Sequence, residues 1–322
     1  MHTRTSRNFA VVAQHGSLRE AAEVLHIAQP ALSRQIAKME ADLGTALLQR
    51  SPTGVRLTQA GEIYLRYARE QLVEEERLRA ELRGLKGLHG GVLRIHAIES
   101  LAKSLLSPVL AEFQQRHPGA AFNVTVTGSD EIIGAVRDLA ADVGLGYFSL
   151  PSPGIDIRAL RTEPLVALVA ADHPLAGKNR ITLDMTTPFP LALTNRSSRS
   201  RALVDTAFWQ AGLRFTTALE SNSVELLVDF VQRTNGVTLL LRSSAVHALE
   251  CGTVSAVAVQ SEILNIGAVE ALTKTGRKLP AMAESLLQLI SDRMGEQQGA
   301  SATKRLDPAS APWHCQTAVT QI

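Results

Sequence analysis

The chain has 322 residues, 45% of them hydrophobic, and a formal net charge of +2, which is enough sequence for two or three domains. Cys251 and Cys315 are far apart, which excludes a disulfide framework and fits a reducing compartment. Because the longest apolar run is too short to span a bilayer and no signal core follows the N-terminus, we expect a cytoplasmic protein with no membrane partner.

Positive charge is concentrated at the N-terminal end. Residues 1–57 hold seven Lys or Arg against four Asp or Glu, whereas residues 58–88 and 295–322 are balanced. A small basic segment on a near-neutral body is typical of proteins that bind nucleic acid.

Residues 16–43 predict two short helices joined by a tight turn, after a first helix with an apolar stripe. Ser17 and Glu20 have the spacing of a capping box, and Pro30 suits the first turn of the second helix. A helical wheel divides that helix into an apolar face, Leu32, Ile36, Met39 and Leu43, and an exposed face, Ser33, Arg34, Ala37 and Lys38. The exposed face suits a reader of the DNA major groove; an ordinary amphipathic helix pair is the alternative.

Residues 47–58 predict a hairpin, because the turn sequence Ser51 to Gly54 separates two short extended runs. It carries Arg50 and Arg56, so it is interpreted as a wing that touches phosphates or the minor groove. A plain surface hairpin is the alternative.

A long polar helix follows from the cap Thr58 towards Gly90 and Gly91. Its apolar residues recur at a spacing of three and four, which predicts pairing with a second copy of the chain; a solvated single helix is the alternative. The predicted dimerisation residues are Tyr64, Ala68, Leu78, Leu82 and Leu85.

From Val92 the pattern is βαβαβ, which predicts a parallel sheet with ligands at the carboxyl ends of its strands. A second α/β group follows, and a last strand and helix return to the first. The predicted fold is α+β and multi-domain: a winged helix-turn-helix (1–57), a linker helix (58–91) and a two-lobed α/β domain resembling periplasmic binding proteins (92–294). Lobe I is residues 92–161 and 266–294, lobe II is residues 162–265, and residues 295–322 are predicted to be a disordered tail.

Phe9 to Glu62 resembles, without a gap, the N-terminal domain of LysR-type transcriptional regulators. The resemblance rests on GS-x(3)-AA, on Q-P-A-L-S-R-Q-I, on E-x(2)-LG and on LT-x-AG. Three departures are noted: Ala28 stands where the family has a Ser or Thr cap, Leu47-Leu48 replaces Leu-Phe, and Thr3–Asn8 lacks leucines, so the first helix is expected to start late.

The resemblance implies a DNA surface and an effector site. The DNA-binding residues are Ser17, Gln29, Pro30, Ser33, Arg34, Lys38, Arg50 and Arg56. The effector-binding residues, at helix starts that favour anions, are Ser100, Thr127, Gly128, Ser129, Ser197 and Ser198. Plain helix caps are the alternative for these six, and Glu99 beside them would repel an anionic ligand if it pointed inward.

The predicted function is a sequence-specific transcriptional regulator that binds double-stranded DNA as a homodimer or homotetramer, controlled by a small-molecule effector. No catalytic residue, metal site or other cofactor is predicted, and RNA polymerase is a further candidate partner. An enzyme is the first rival, but the sequence has no G-x-S-x-G, H-E-x-x-H or P-loop motif. The second rival is a small-molecule binding protein without DNA-binding activity, which leaves the basic head unexplained.

Overall fold

A computed structural model describes residues 3–51, 54–85, 92–148 and 152–299 of the chain. The N-terminal head has three helices followed by a two-stranded antiparallel wing. Its elements are α1 (Thr3–His15), α2 (Leu18–Val24), α3 (Gln29–Leu43), β1 (Leu48–Ser51) and β2 (Gly54–Leu57). The helix-turn-helix and the hairpin lie where the sequence predicts them.

The expected late start of the first helix is wrong, because α1 begins at Thr3. Polar side chains take the places of the missing leucines. The Ser6 and Tyr64 hydroxyls are hydrogen-bonded at 3.0 Å, and Asn8 Nδ2 donates to Gln35 Oε1 at 2.6 Å. The first bond is buried and the second is part-buried; both satisfy polar groups of α1 and fix this helix in the head.

The core of the head forms where the apolar face of α3 meets α1. Leu32, Ile36 and Met39 are buried there with Phe9. Leu43 was predicted to share this face, but it is 42% exposed. It is the last residue of α3, before a left-handed glycine at position 44 that ends the helix, so it extends past the packed turns.

The linker helix α4 (Gln59–Leu85) begins at the predicted cap, where Thr58 Oγ1 accepts a hydrogen bond from Gly61 N at 3.0 Å. The dimerisation prediction for two of its residues is wrong. Tyr64 and Ala68 are buried in the head of their own chain, and the Tyr64 ring packs edge-on against Phe9 with centroids 5.1 Å apart. The apolar spacing of Tyr64 and Ala68 therefore reflects packing against α1 of the same chain, not against a second copy.

Further along α4, Leu78 is 54% exposed, so its predicted role in dimerisation stays a prediction. The side chains of Leu82 and Leu85, and the rest of the linker up to residue 91, lie outside the described residues.

The first part of the body alternates strands and helices as predicted. It contains β3 (Val92–Ala97), α5 (Glu99–Leu101), α6 (Ser107–Arg116), β4 (Ala121–Val126), α7 (Ser129–Arg137), β5 (Val143–Phe148) and β6 (Ile155–Thr162). A π-helical turn, Ala102–Leu106, joins α5 to α6. The strand β6 has no counterpart in the predicted βαβαβ pattern.

The chain then builds a second group of elements and returns. The second group is β7 (Leu165–Ala170), β8 (Arg180–Ile181), β9 (Leu191–Thr194), α8 (Arg199–Gln210), β10 (Thr217–Ser221), α9 (Val224–Arg233), β11 (Val237–Leu241), α10 (Val246–Glu250) and β12 (Val254–Val259), with short 3-10 turns at Leu183–Thr186, Arg242–Ala245 and Ile263–Asn265. The returning elements are β13 (Ala268–Lys274) and α11 (Ala281–Gly299). Because α11 runs to Gly299, residues 295–299 are helical rather than disordered; the tail beyond them lies outside the described residues.

Two sheets organise the body as two lobes. The sheet of lobe I has the order β4-β3-β5-β13-β6, parallel from β4 to β5 and antiparallel on both sides of β13. The sheet of lobe II has the order β10-β9-β11-β7-β12-β8. The return of β13 to the first sheet puts the carboxyl ends of the parallel strands of both lobes at the boundary between them.

Across the described ranges, no helix is both long and apolar enough to cross a membrane. Within those same ranges, no group of three or more His, Cys, Asp or Glu residues is placed to hold a metal ion.

Candidate functional site

α3 carries five of the residues predicted to contact DNA. Gln29, Pro30, Arg34 and Lys38 are exposed, and Ser33 is half-buried. Arg34 and Lys38 lie on the face opposite the buried one, and Gln29 and Pro30 lie in the first turn of the helix. An amide and two cations match the hydrogen-bonding groups of base edges and phosphates. The structure therefore brings these residues to one surface, and their contacts with DNA stay a prediction.

The wing packs beside α3 through a polar contact. Arg50 Nη1 donates a hydrogen bond to Ser33 Oγ over 3.2 Å. The strand register pairs Arg50 with Val55 and Gln49 with Arg56, and directly opposed residues of an antiparallel pair share a face. Arg50 therefore lies on the face of the wing towards α3, whereas Arg56 lies on the other face and is exposed.

Ser17 has a structural role at the start of α2. Its Oγ accepts a hydrogen bond from Glu20 N at 3.3 Å, which is one half of the predicted capping box. The Glu20 carboxylate lies 4.0 Å from His15 Nδ1. Next to the cap, Gly16 O accepts from Val55 N at 2.8 Å, so the start of α2 is fastened to the wing. A DNA contact by Ser17 stays a prediction.

A cavity of about 530 Å³ lies between the two lobes of the body. All six predicted effector-binding residues line it. They come from the starts of helices in lobe I, Ser100, Thr127, Gly128 and Ser129, and in lobe II, Ser197 and Ser198. These segments are distant in the chain, but each lies near the carboxyl end of a parallel strand, which is where ligands bind in α/β folds.

The longer helices α7 and α8 reach this cleft with N-termini that no side chain caps. The cap positions are Gly128 for α7 and Ser198 for α8, and free amides there are suited to bind anionic or polar groups. The Ser198 and Ser200 hydroxyls lie 2.7 Å apart. In contrast, Ser129 Oγ donates to Tyr147 O at 3.1 Å, so its proton is held within lobe I.

The described lining of the cleft carries negative and no positive side chains, which disfavours strongly anionic ligands. Its 20 described lining residues include two carboxylates, Glu99 and Glu131, and no Lys, Arg or His. The other polar groups are mostly hydroxyls and amides. Such a lining suits a small polar ligand held by several hydrogen bonds.

The Glu99 carboxylate bridges the two lobes. Glu99 Oε2 accepts a hydrogen bond from Val224 N at 2.7 Å, and Oε1 accepts one from Glu225 N at 3.3 Å. A carboxylate of lobe I therefore sits on the first turn of α9 in lobe II, where the helix dipole favours negative charge.

Tyr147 reaches from the cleft into the hinge between the lobes. Its hydroxyl donates to Glu163 O at 3.1 Å, and Glu163 N donates to Gly267 O at 3.2 Å. A Cβ at position 267 would lie 1.8 Å from the Tyr147 hydroxyl, so glycine is required. Burial, and then the charge of Glu163, raises the pKa of Tyr147, which keeps its proton available for the hinge bond.

Sequence reasoning missed several lining residues. They include Glu131, Tyr147, Thr194, Asn195, Ser200, Asn222, Ser223 and Ser244. Thr194 ends β9, and Asn195 and Asn222 directly follow β9 and β10, so the rule that places ligands at the carboxyl ends of parallel strands could have indicated them. The same rule could have indicated Tyr147 near the end of β5, but not its hydrogen bond to Glu163, which depends on how the lobes pack.

Two family models match the chain. The model described as bacterial regulatory helix-turn-helix protein, lysR family, matches residues 3–62, and the LysR substrate binding domain matches residues 86–295. The chain therefore belongs to the LysR family of transcriptional regulators. It is a non-enzymatic, DNA-binding regulator with a helix-turn-helix head and an effector-binding domain, as the resemblance predicted.

Named relatives are also regulators. A RuBisCO operon transcriptional regulator from Allochromatium vinosum is 28% identical over 247 residues, which are 77% of this chain and 80% of that protein. A probable nitrogen assimilation transcriptional activator from Synechocystis sp. is 31% identical over 238 residues, 73% of this chain and 77% of that protein.

Solved structures show the same fold. Full-length OxyR from Pseudomonas aeruginosa, in a variant form, has a TM-score of 0.69 at 22% identity and covers 91% of this chain and 94% of its own. Full-length CbnR in complex with its target DNA has a TM-score of 0.58 at 23% identity and covers 91% of this chain and 100% of its own.

Proposed function

We propose that this regulator binds a partly palindromic promoter site as a homodimer or homotetramer, and that a small polar effector held between the lobes changes how the heads engage DNA. The observation that carries the proposal is the presence in one chain of a cationic face on α3 and a polar interlobe cleft. Closure of the lobes would change the spacing of paired heads, and hence the bend of the bound DNA.

In this proposal the head divides its contacts between bases and backbone. Gln29, Ser33 and Arg34 read base edges in the major groove, where Arg binds guanine with two hydrogen bonds. Lys38 and the wing arginines Arg50 and Arg56 contact phosphates or the minor groove. Ser17 and Pro30 lie at helix starts that approach the sugar-phosphate backbone.

In the same proposal, α4 carries the contacts between chains and the cleft carries the contacts with the effector. Leu78, exposed on α4, belongs with Leu82 and Leu85 to the segment that pairs with a second chain. The effector is held by the six predicted cleft residues, and RNA polymerase is contacted at the promoter. Genomic footprinting of the upstream promoter, combined with a thermal-shift screen of metabolites, would identify the operator and the effector.

The base-reading role is tested by comparing Arg34→Ala with Lys38→Ala. We expect Arg34→Ala to lose about 1–3 kcal/mol of specific-site binding and to relax discrimination at one base pair. Lys38→Ala should weaken all DNA similarly and reduce the slope of log affinity against log salt by about one. Gel-shift titrations on specific and scrambled duplexes at several salt concentrations measure both effects.

Arg34→Lys is the matched control, because it keeps the charge and loses the bidentate geometry. It should retain non-specific affinity while losing discrimination. Equal specific-site affinity of wild type and Arg34→Ala would overturn the base-reading assignment. Failure of the wild type to retain any DNA at low salt would overturn the proposed function and favour a small-molecule binding protein.

A further inference from the structure

The first turn of α9 in lobe II has all of its amide donors satisfied by side chains. Ser223 N donates to Ser221 Oγ at 3.0 Å, and Leu226 N donates to Ser223 Oγ at 3.3 Å. The two amides between them, of Val224 and Glu225, donate to the Glu99 carboxylate of lobe I. A helix start normally leaves these donors free, so α9 has no open anion position although it lines the cleft.

Glu99 thus occupies the place that the acidic group of a ligand would take at this helix. Charge-assisted bonds from two amides to one carboxylate are stronger than neutral ones, and Glu99 is part-buried. The nearby Lys103 to Glu225 pair, at 3.7 Å between two exposed side chains, links the same two lobes but is screened by solvent.

At α8, the other lobe II helix that starts at the cleft, the arrangement differs. The start of α8 has no side-chain cap, and Arg199 on that helix donates to Asp130 Oδ1 of lobe I at 2.7 and 2.9 Å. With two carboxylates and no cation among the described lining residues, a ligand with two acidic groups would place the second one beside Glu99 or Glu131 without a counter-charge.

We propose that Glu99 is a specificity-determining residue of the cleft: its carboxylate fills the anion position of α9 from within, so the cleft selects small polar ligands with at most one acidic group. The inference rests on the proposed ligand-binding role of the cleft. It assigns to Glu99 both a bridge between the lobes and the exclusion of dianions.

The experiment uses the full chain and inorganic sulfate as the dianion probe. Glu99→Ala frees the amides of Val224 and Glu225, so their hydrogen exchange should accelerate by about tenfold or more. Sulfate, compared with NaCl at equal ionic strength, should bind Glu99→Ala about tenfold more tightly than wild type, seen as a rise in Tm that exceeds the general stabilisation that sulfate gives wild type.

Glu131→Ala is the matched control, because it removes the same charge from the same lining and leaves the α9 position occupied. It should exchange at Val224 like wild type and gain clearly less sulfate affinity than Glu99→Ala. Equal gains in sulfate affinity in both variants would show that only the net charge of the cleft matters, and would overturn the proposal. A Glu99→Ala variant that folds but shows neither faster amide exchange at α9 nor tighter sulfate binding, or only one of the two, would also overturn it.

If Glu99→Ala does not fold, Glu99→Gln decides the question, since it removes the charge and one of the two acceptor oxygens and so frees one α9 amide for sulfate. A gain in sulfate affinity supports the proposal, and no gain overturns it. Neither readout uses DNA or an effector. If no metabolite changes DNA binding while the Glu99 results hold, it is the proposed function that fails.

Discussion

At the scale of single residues, Glu270 is a buried acid in the middle of the lobe I sheet. It lies on β13, opposite Gly146 on β5 and Leu160 on β6, and is 8% exposed. Burial raises the pKa of its carboxyl to about 7, because the charged form loses its hydration there. Near neutral pH this carboxyl is therefore partly protonated.

We expect Glu270 to make the protein less stable as pH rises from about 4.5, its ordinary pKa, to about 7. Below this window the carboxyl is protonated in both states. Within it the unfolded chain ionises while the folded chain keeps its proton, and above it the folded state holds a buried charge at a cost of about 3 kcal/mol.

Glu270→Gln removes this dependence. Urea unfolding should show that the variant gains about 2–3 kcal/mol more over wild type at pH 8 than at pH 5. The pH dependence from the other titrating groups is the same in both proteins, so it cancels in the difference between variant and wild type. The same difference at both pH values would contradict the prediction.

Residue positions that follow from local spacing could be predicted from the sequence. The exposure of Arg34 and Lys38 on α3 is of this kind, whereas the position of Ser100 in the cleft was expected from the family resemblance. The sequence did not indicate that Glu99 meets Val224, 125 positions away, because that contact depends on how two lobes are placed. It also did not indicate that Tyr64 packs within its own chain, since helical spacing does not identify the partner.

At the scale of elements, the recognition helix α3 begins without a side-chain cap. Ala28 has the extended backbone of a cap residue, with φ −68° and ψ 131°. Pro30 has no amide, so Ala31 N is the donor within reach of a side chain at position 28, and it already bonds Ala28 O at 2.9 Å.

We expect Ala28→Ser to raise the free energy of unfolding of the head by about 0.5–1 kcal/mol, the low end of the capping range because the Ala31 amide is shared. Hydrogen exchange of α3 amides in the full chain measures the change. Ser17→Ala is the control of opposite sign, since it removes an existing cap and should destabilise the head by about 1 kcal/mol. If α3 amides exchange no more slowly in Ala28→Ser than in wild type, the prediction for position 28 is contradicted.

Three strands, β6, β8 and β12, were not predicted from the sequence, each for a different reason. Residues Ile155–Thr162 carry three charges and are largely exposed, so β6 becomes a strand through its pairing with β13 rather than through its own apolar periodicity. The two residues of β8 are too few to give a pattern. Val254–Val259 is apolar but built of small side chains, and its place beside β7 is decided by tertiary packing.

At the scale of the whole molecule, the linker helix α4 touches lobe I through two ion pairs. Arg69 Nη1 lies 2.8 Å from Asp138 Oδ2, and Lys274 Nζ lies 2.8 Å from Glu70 Oε1. The side chains are partly exposed, so each pair contributes about 0.2–1 kcal/mol. Together they orient α4 so that the surface carrying Arg69 and Glu70 faces lobe I.

We expect Lys274→Glu to loosen this contact and the swap Glu70→Lys in the same chain to restore it. Hydrogen exchange of α4 around residues 66–74 should be faster in the single variant and return towards wild type in the double variant, more clearly at low salt. Arg233→Glu, which breaks a surface pair with Asp229 inside α9, is the control and should leave α4 unchanged. Unaltered exchange in Lys274→Glu would show that α4 does not dock on lobe I in solution.

The hydrogen bond between Glu163 and Gly267 joins the two points where the chain passes between the lobes. The chain leaves lobe I at one of these residues and re-enters at the other, and their backbones are 3.2 Å apart. Lobe II is thus an inserted unit with adjoining ends, with a core of its own on one side of its sheet that includes Leu168, Leu227 and Leu240.

Units whose ends meet tolerate excision and transplantation. We expect residues 163–267 expressed alone to fold and unfold cooperatively in urea, at lower stability than in the full chain because the apolar cluster shared with lobe I is lost. Circular dichroism and the urea transition provide the measurement; a fragment without a transition would show that the lobes fold only together. A separable lobe II would let half of the ligand-facing surface be exchanged between regulators while the head and its operator stay the same.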